Sequence, residues 1–204
     1  RVNPFEFLLE ASFDELSAGY GEARTAVLAP YLLRGDTPGP VLELGGELAR
    51  QAGGQVLPFL KGLNAYIYQS HQAEIRLEGG PLAAEETLKR GRGSCRDLTV
   101  LFIEVCRSLG LAARFVSGYQ AGDPDQQERH MHAWPEVYLP GAGWRGYDPS
   151  LGLVVADAHV SVAAGAQAEA AQPLVGTFIR GEDVQATLEV SIELAATLAS
   201  DVIG

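Results

Sequence analysis

The sequence is short of several things, and each shortage closes off a class of function. Basic residues number 15 against 26 acidic ones, for a net charge of −11 and a pI near 4.8. Such a surface repels phosphate backbones and anionic lipid, so neither nucleic acid nor a membrane is expected as a partner. No run of about 18 or more apolar residues appears, which a membrane-spanning helix requires. The opening residues Arg1-Val2-Asn3-Pro4-Phe5 lack the basic-then-apolar layout of a secretory leader. The chain opens on Arg1 rather than Met, so it is expected to be a fragment that lacks an upstream portion. Cysteine is scarce: Cys95 and Cys106 are the only two. Both fall on one predicted helix, where a rise of about 1.5 Å per residue sets them roughly 16 Å apart. A disulfide needs Cα atoms within about 7 Å. The two thiols are therefore expected to be free, which fits a reducing compartment and a cytoplasmic location.

What is present is enough apolar residue, 47% of 204, to bury one sizeable core, and one domain covering residues 1–204 is expected. The first third reads as helical and loop segments, with Phe5-Glu6-Phe7-Leu8-Leu9 and Ala23 to Leu33 as helical stretches, Pro30 being able to interrupt the second. The turn cluster Gly35-Asp36-Thr37-Pro38-Gly39-Pro40 precedes a helical pattern from Val41 to Ala52, despite Gly45-Gly46 in its middle. Val56, Leu60, Leu63 and Ile67 recur on one helix face, and Pro58 suits that helix's first turn. A turn and short helix over Gly79 to Leu88 lead to the loop Gly91-Arg92-Gly93-Ser94-Cys95. Its glycines let backbone approach whatever lies in front of Cys95. Leu98, Leu101, Phe102, Val105 and Leu109 then form an apolar stripe that stops at Gly110. Cys95 thus falls at a helix N-terminus.

Beyond Gly110 the period changes from 3.6 to 2. Ala112 to Tyr119 reads as a strand, Gln120 to Arg129 as a polar loop, and His132 to Leu139 and Gly143 to Tyr147 as two strands around the turn at Pro140 to Gly143. Pro135 cannot donate to a ladder, so its nitrogen is expected to face an edge or a bulge. The low-complexity run Ala163 to Ala171 reads as an exposed, mobile loop. Val184, Ala186, Leu188, Val190, Ile192 and Leu194 alternate with polar residues, the pattern of a strand with one buried face.

Three residues stand out chemically. Thiolate is the reactive form of cysteine, favoured at a helix N-terminus and beside a histidinium. Cys95 meets the first condition, and His132, at the start of a strand, is the candidate for the second. Asp148, ending the next strand at Tyr147-Asp148-Pro149, can fix the imidazole tautomer if the two strands are antiparallel neighbours. The first backbone N–H groups of the Cys95 helix are available to a developing oxyanion.

The stretches Gly91-Arg92-Gly93-Ser94-Cys95-Arg96-Asp97, Leu109 to Tyr119, His132-Ala133-Trp134 and Gly143-Trp144-Arg145-Gly146-Tyr147-Asp148-Pro149 together resemble the bacterial transglutaminase-like cysteine peptidase family. The resemblance is strong over about residues 80 to 155 and weaker at Asn3-Pro4-Phe5 and the helical first third. It implies an α+β fold with a papain-like core, a Cys95–His132–Asp148 triad in that chain order, and an upstream β-rich domain missing here. The sequence departs from the family pattern at Pro135-Glu136 after Trp134, and at Ser150, where threonine is common. The family's upstream aromatic support for the oxyanion is not assigned to any one residue of Tyr66 to Ile75.

The mechanism so implied is acyl transfer through a thioester on a protein or peptide substrate, without cofactor or metal, and with hydrolysis favoured over transfer to an amine. A transglutaminase, or a peptide-binding module without turnover, are the alternatives. A zinc site built from His130 and His132 with Cys95 or Asp148 is a further one, and tight zinc sites show closer paired spacing. Asp123, Asp125 and Glu128 lack the spacing of a calcium loop. Asp97 is expected to cap its helix or hold a neighbouring loop, Cys106 to pack the core, and Trp134 and Trp144 to wall the core or cleft.

Overall fold

A computed structural model of the chain describes residues 3–4, 6–76, 78–121, 130–172 and 192. The expected strand around 184–194 and the acidic residues Asp123, Asp125 and Glu128 lie outside the described residues. The fold is α+β, with five α-helices among the described residues gathered against an antiparallel sheet.

Residues 6–10 form no helix, contrary to expectation, and the first regular element is a 3-10 turn over Ala11–Phe13. The run has no regular structure and is instead held against the Pro140–Gly141 turn. Glu10 N–H donates to the Pro140 carbonyl at 3.0 Å, and a Cβ on Gly141, whose φ is +88°, would come within 2.4 Å of the Leu8 carbonyl.

Helix α1 (Glu22–Leu32) runs through Pro30 rather than breaking there; the proline sits in the last turn and the helix ends two residues on. Helix α2 (Gly39–Gln51) likewise absorbs Gly45, where a Cβ would stand 3.0 Å from Ser108 Oγ, so the glycine marks a close helix crossing. Helix α3 (Val56–Ser70) buries Val56, Phe59, Leu60, Leu63 and Ile67 as their spacing predicts. Helix α4 (Ala84–Arg90) ends on Gly91 in the left-handed region. Helix α5 (Cys95–Ser108) buries Leu98, Leu101, Phe102, Val105 and Cys106, each large apolar side chain contributing about 1.5–3 kcal/mol.

Two short strands, β1 (Gln72–Ala73) and β2 (Arg92–Gly93), pair in parallel and tie the end of α3 to the loop before α5. The main sheet has the order β6-β5-β4-β3-β7, every pairing antiparallel. Its strands are β3 (Ala113–Gln120), β4 (His132–Leu139), β5 (Gly143–Asp148), β6 (Leu153–Val154) and β7 (His159–Gly165). Helix α5 packs on β3 and β4, with α2, α3 and α4 around it.

One reading needs correction, and one holds in an unexpected strand. The stretch 163–171 is not a mobile loop: its first residues belong to β7, and Ala168–Ala171 forms a 3-10 turn with Ala171 buried. Small residues are required there because chains meet closely, a Cβ on Gly165 falling 2.6 Å from Ala170 Cβ. Pro135 lies in an interior strand, yet the β4–β5 ladder begins only at Glu136↔Gly146. From His132 to Pro135 the paired neighbour of β4 is β3, which leaves proline its permitted place.

Candidate active site

The N-terminus of α5 is built around a buried carboxylate. Asp97 is fully buried and accepts from the Ser94 backbone N–H at 2.8 Å, the Ser94 hydroxyl at 2.7 Å, the Leu82 N–H at 2.7 Å and Arg76 at 2.5 Å. Burial alone would raise this carboxyl, but those donors outweigh it and hold it below its ordinary value. The capping and loop-holding role expected of Asp97 is what the structure shows, although its cation is Arg76; Arg96 donates instead to the Glu78 carbonyl at 2.6 Å. Gly93 serves the same cluster, since a Cβ there would lie 2.8 Å from Asp97 Cβ. The loop glycines therefore end α4 and seat the cap.

Cys95 stands at the first position of α5, partly exposed, while Cys106 is buried and burial pushes its thiol well up. Both are free thiols on one helix, as expected. His132 begins β4 and Asp148 ends β5, and His132 Nε2 lies 2.6 Å from Asp148 Oδ2. Burial alone would lower His132; the hydrogen bonds to Asp148 and to Cys95, with their charges, push it up to about 10. Nε2 of the ring thus addresses the carboxylate, and the influence of Cys95 on the ring places the sulfur in the same neighbourhood, so the structure brings all three predicted residues together.

Asp148 is fully buried. Oδ1 accepts from Ser150 N–H at 3.1 Å, Ser150 Oγ–H at 2.6 Å and Leu151 N–H at 3.2 Å. Burial raises the carboxyl, but the bonds to His132, His159 and Ser150 and the His132 charge bring it far below the ordinary range. The Ser150 hydroxyl thus helps to hold the carboxylate in place. Asn64 of α3 donates to the Leu153 carbonyl at 3.1 Å and steadies the segment that follows. Tyr68 packs against the same segment, where a Cβ on Gly152 would meet its ring at 2.8 Å.

His159, at the start of β7, escaped the sequence reading. Its Nε2 lies 3.1 Å from Asp148 Oδ2. Nothing local marks it, since the strands between it and Asp148 are set by long-range pairing; a histidine beginning a short strand after the Asp148 motif is the one faint signal.

His132, Asp148 and His159 have ligand atoms within 4.8 Å of one another, a different set from the His130-containing one considered above; His130 is exposed and precedes β4. A 2.6 Å separation between His132 Nε2 and Asp148 Oδ2 is shorter than the roughly 3.3 Å between two ligands bound tetrahedrally at about 2.0 Å. The contact has hydrogen-bond dimensions. Trp134 is buried and lies edge-on to His159 at 5.2 Å, while Trp144 carries Arg114 over its ring at 4.3 Å. Among the described residues no helix is long and apolar enough to cross a membrane.

Comparison with known proteins follows the same residues. Positions 48–149, which hold Cys95, His132 and Asp148 but not His159, match the family model described as the transglutaminase-like superfamily. An uncharacterized protein of Mycobacterium leprae (strain TN) is 32% identical over 98 residues, covering 46% of this chain and 34% of that protein. A Cytophaga hutchinsonii structure described as a candidate cysteine protease superposes with a TM-score of 0.58 at 24% identity, over 71% of this chain and 49% of that one. The periplasmic domain of TgpA from Pseudomonas aeruginosa gives 0.51 at 24%, over 64% and 48%. The match thus spans about a third of the curated relative and about half of each solved chain.

Proposed function

The chain belongs to the transglutaminase-like superfamily, and from that premise we propose that it is a thiol-dependent acyl-transfer enzyme, a cysteine peptidase or amidase acting on protein or peptide amides. The observation that carries the reading is the 2.6 Å contact between the His132 ring and the buried Asp148 carboxylate, with Cys95, at the first position of α5, near enough to that ring to help raise it. Cys95 Sγ gives its proton to His132 and attacks the amide carbonyl carbon, with the first N–H groups of α5 facing the oxyanion. The C–N bond breaks as His132 passes that proton to the leaving amine, which leaves a thioester on Cys95. His132 then takes a proton from water, the hydroxide attacks the thioester, and the proton returns to sulfur. Asp148 keeps the ring oriented and its charged form stable.

Water as the acceptor gives hydrolysis, and an amine gives transamidation. Hydrolysis is favoured by the resemblance to peptidases. An upstream domain and a cytoplasmic location belong to the same proposal, the latter resting on the two free thiols alone.

The test is acyl-enzyme capture. p-Nitrophenyl acetate should give a burst of nitrophenol and an acetyl adduct mapped to Cys95 by mass spectrometry, absent in Cys95→Ala. Adding a primary amine separates the two outcomes, acetic acid marking the hydrolase and an acetamide the transferase. No adduct, together with undiminished peptide binding by Cys95→Ala, would leave a binding module instead.

A further inference from the structure

We propose that His159 is a positioning residue for this chemistry, donating its Nε2–H to the very Asp148 oxygen that faces His132 and so setting both the direction of that carboxylate and how tightly it holds the His132 proton. The inference rests on the acyl-transfer reading of Cys95, His132 and Asp148.

His159 is a buried imidazole with a single polar contact among the described residues. Its side chain is 2% exposed, Nε2 lies 3.1 Å from Asp148 Oδ2, and its Nδ1 is buried with no hydrogen-bond partner among the described residues. Burying a ring nitrogen without a protein partner is unfavourable, and an apolar ring would pack there without that cost. What an apolar ring cannot do is donate to Asp148. To donate, His159 must carry a proton on Nε2, which fixes its tautomer.

The backbone is shaped to bring it there. His159 pairs with Gln120 and His132 with Gly118, two residues apart on one face of β3. A Cβ on Gly118 would fall 2.0 Å from the Val160 carbonyl and 2.8 Å from the Trp134 ring, so only glycine lets β7 and Trp134 close over this point. Trp134 then holds the His159 ring edge-on at 76°.

The consequence lies in how the carboxylate divides its donors. Oδ1 is filled by Ser150 and Leu151, which leaves Oδ2 to two imidazoles, His132 at 2.6 Å and His159 at 3.1 Å. Donors on one oxygen share its charge. Remove His159, and Oδ2 turns its whole charge on His132, which then releases its proton to a leaving amine less readily. Among the described residues the titratable groups facing this point are His132 from β4, His159 from β7 and, near the His132 ring, Cys95 from α5.

The experiment follows the His132 ring by NMR titration in the parent, His159→Phe, His159→Gln and His159→Asn, with thermal unfolding as the check on folding. His159→Gln places an amide donor near the Nε2 position and should titrate with the parent. His159→Phe fills the space without a donor and should move the His132 titration upward by about half a pH unit or more, with turnover of an amide substrate falling about tenfold. If His159→Phe does not fold, His159→Asn, whose amide falls short of Asp148, should show the same upward shift. A His132 titration that stays in place or moves down in the folded donor-free variants overturns the proposal, as does a Gln variant indistinguishable from Phe. A parent that forms no ester adduct on Cys95 overturns the enzymatic reading separately, because the His132 titration does not depend on turnover.

Discussion

His132 and Asp148 meet although they are not paired in register: continuing the β4–β5 ladder past Glu136↔Gly146 would set Asp148 opposite Trp134, and His132 lies two residues further along the same face. Their 2.6 Å contact is therefore a diagonal one, reachable because an imidazole and a carboxylate lean toward each other across the end of the ladder. Replacing Asp148 with Asn removes the charge that holds the ring. His132 should then titrate down from about 10 toward its ordinary value near 6.5, and turnover should fall about a thousandfold. The same pair makes stability depend on pH. The His132 value is raised on folding, so its contribution is full below about pH 6.5 and declines as pH climbs toward the folded value. Urea unfolding at pH 6, 8 and 9.5 should show the parent losing stability over that span more steeply than Asp148→Asn does.

Gly118→Ala tests the closure of β7 over the site. The new methyl would meet a backbone carbonyl at 2.0 Å, which no side-chain rotation relieves, so a loss of about 3 kcal/mol is expected in chemical denaturation. In whatever fraction folds, the separation of β7 from β3 should break the His159 contact to Asp148.

Arg107 is a buried cation that staples three parts of the chain. It is 2% exposed and donates to the carbonyls of Tyr31 at 3.0 Å, Leu33 at 3.2 Å, Ala113 at 2.9 Å and Ala166 at 2.5 Å. Burial lowers it from its ordinary value. Arg107→Leu strands these acceptors, and a destabilisation of about 3 kcal/mol or more is expected from the unfolding midpoint.

Asp97→Asn should strike the N-terminus of α5 without touching a reacting group. One charge-assisted contact to Arg76 and several donors depend on it, so about 3 kcal/mol of stability is at stake. Because Asp97 is lowered on folding, its contribution is present above about pH 3.9 and lost as pH falls below that. The parent should unfold in acid over a range where the variant changes little.

Cys95, His132, Asp148, α5 and strands β3 to β5 could be read from the sequence because each has a local signature: a cap and an apolar stripe for α5, alternation for the strands, motif spacing for the three residues. His159 could not, since its partner lies across the intervening strands of the sheet and its own neighbourhood is a bland Ala-rich segment. The strand β7 was hidden for the same reason; it forms because β3 offers an open edge and because Gly118 and Gly165 permit the approach. Arg107 looks like an ordinary basic residue closing a helix, and only the tertiary fold buries it. Phe5 to Leu9 has helical composition, yet contacts at Glu10–Pro140 and Gly141 keep 6–10 out of a helix, tertiary structure overriding propensity.

The central claim, that the Cys95 sulfur is activated by the His132 ring, is tested most directly by the rate of iodoacetamide modification at pH 7, mapped to individual peptides. Cys95 should react about a hundredfold faster than an ordinary exposed thiol, lose that advantage in His132→Asn, and leave buried Cys106 untouched in both. Modification of Cys95 at an ordinary thiol's rate, unchanged by His132→Asn, would contradict the account.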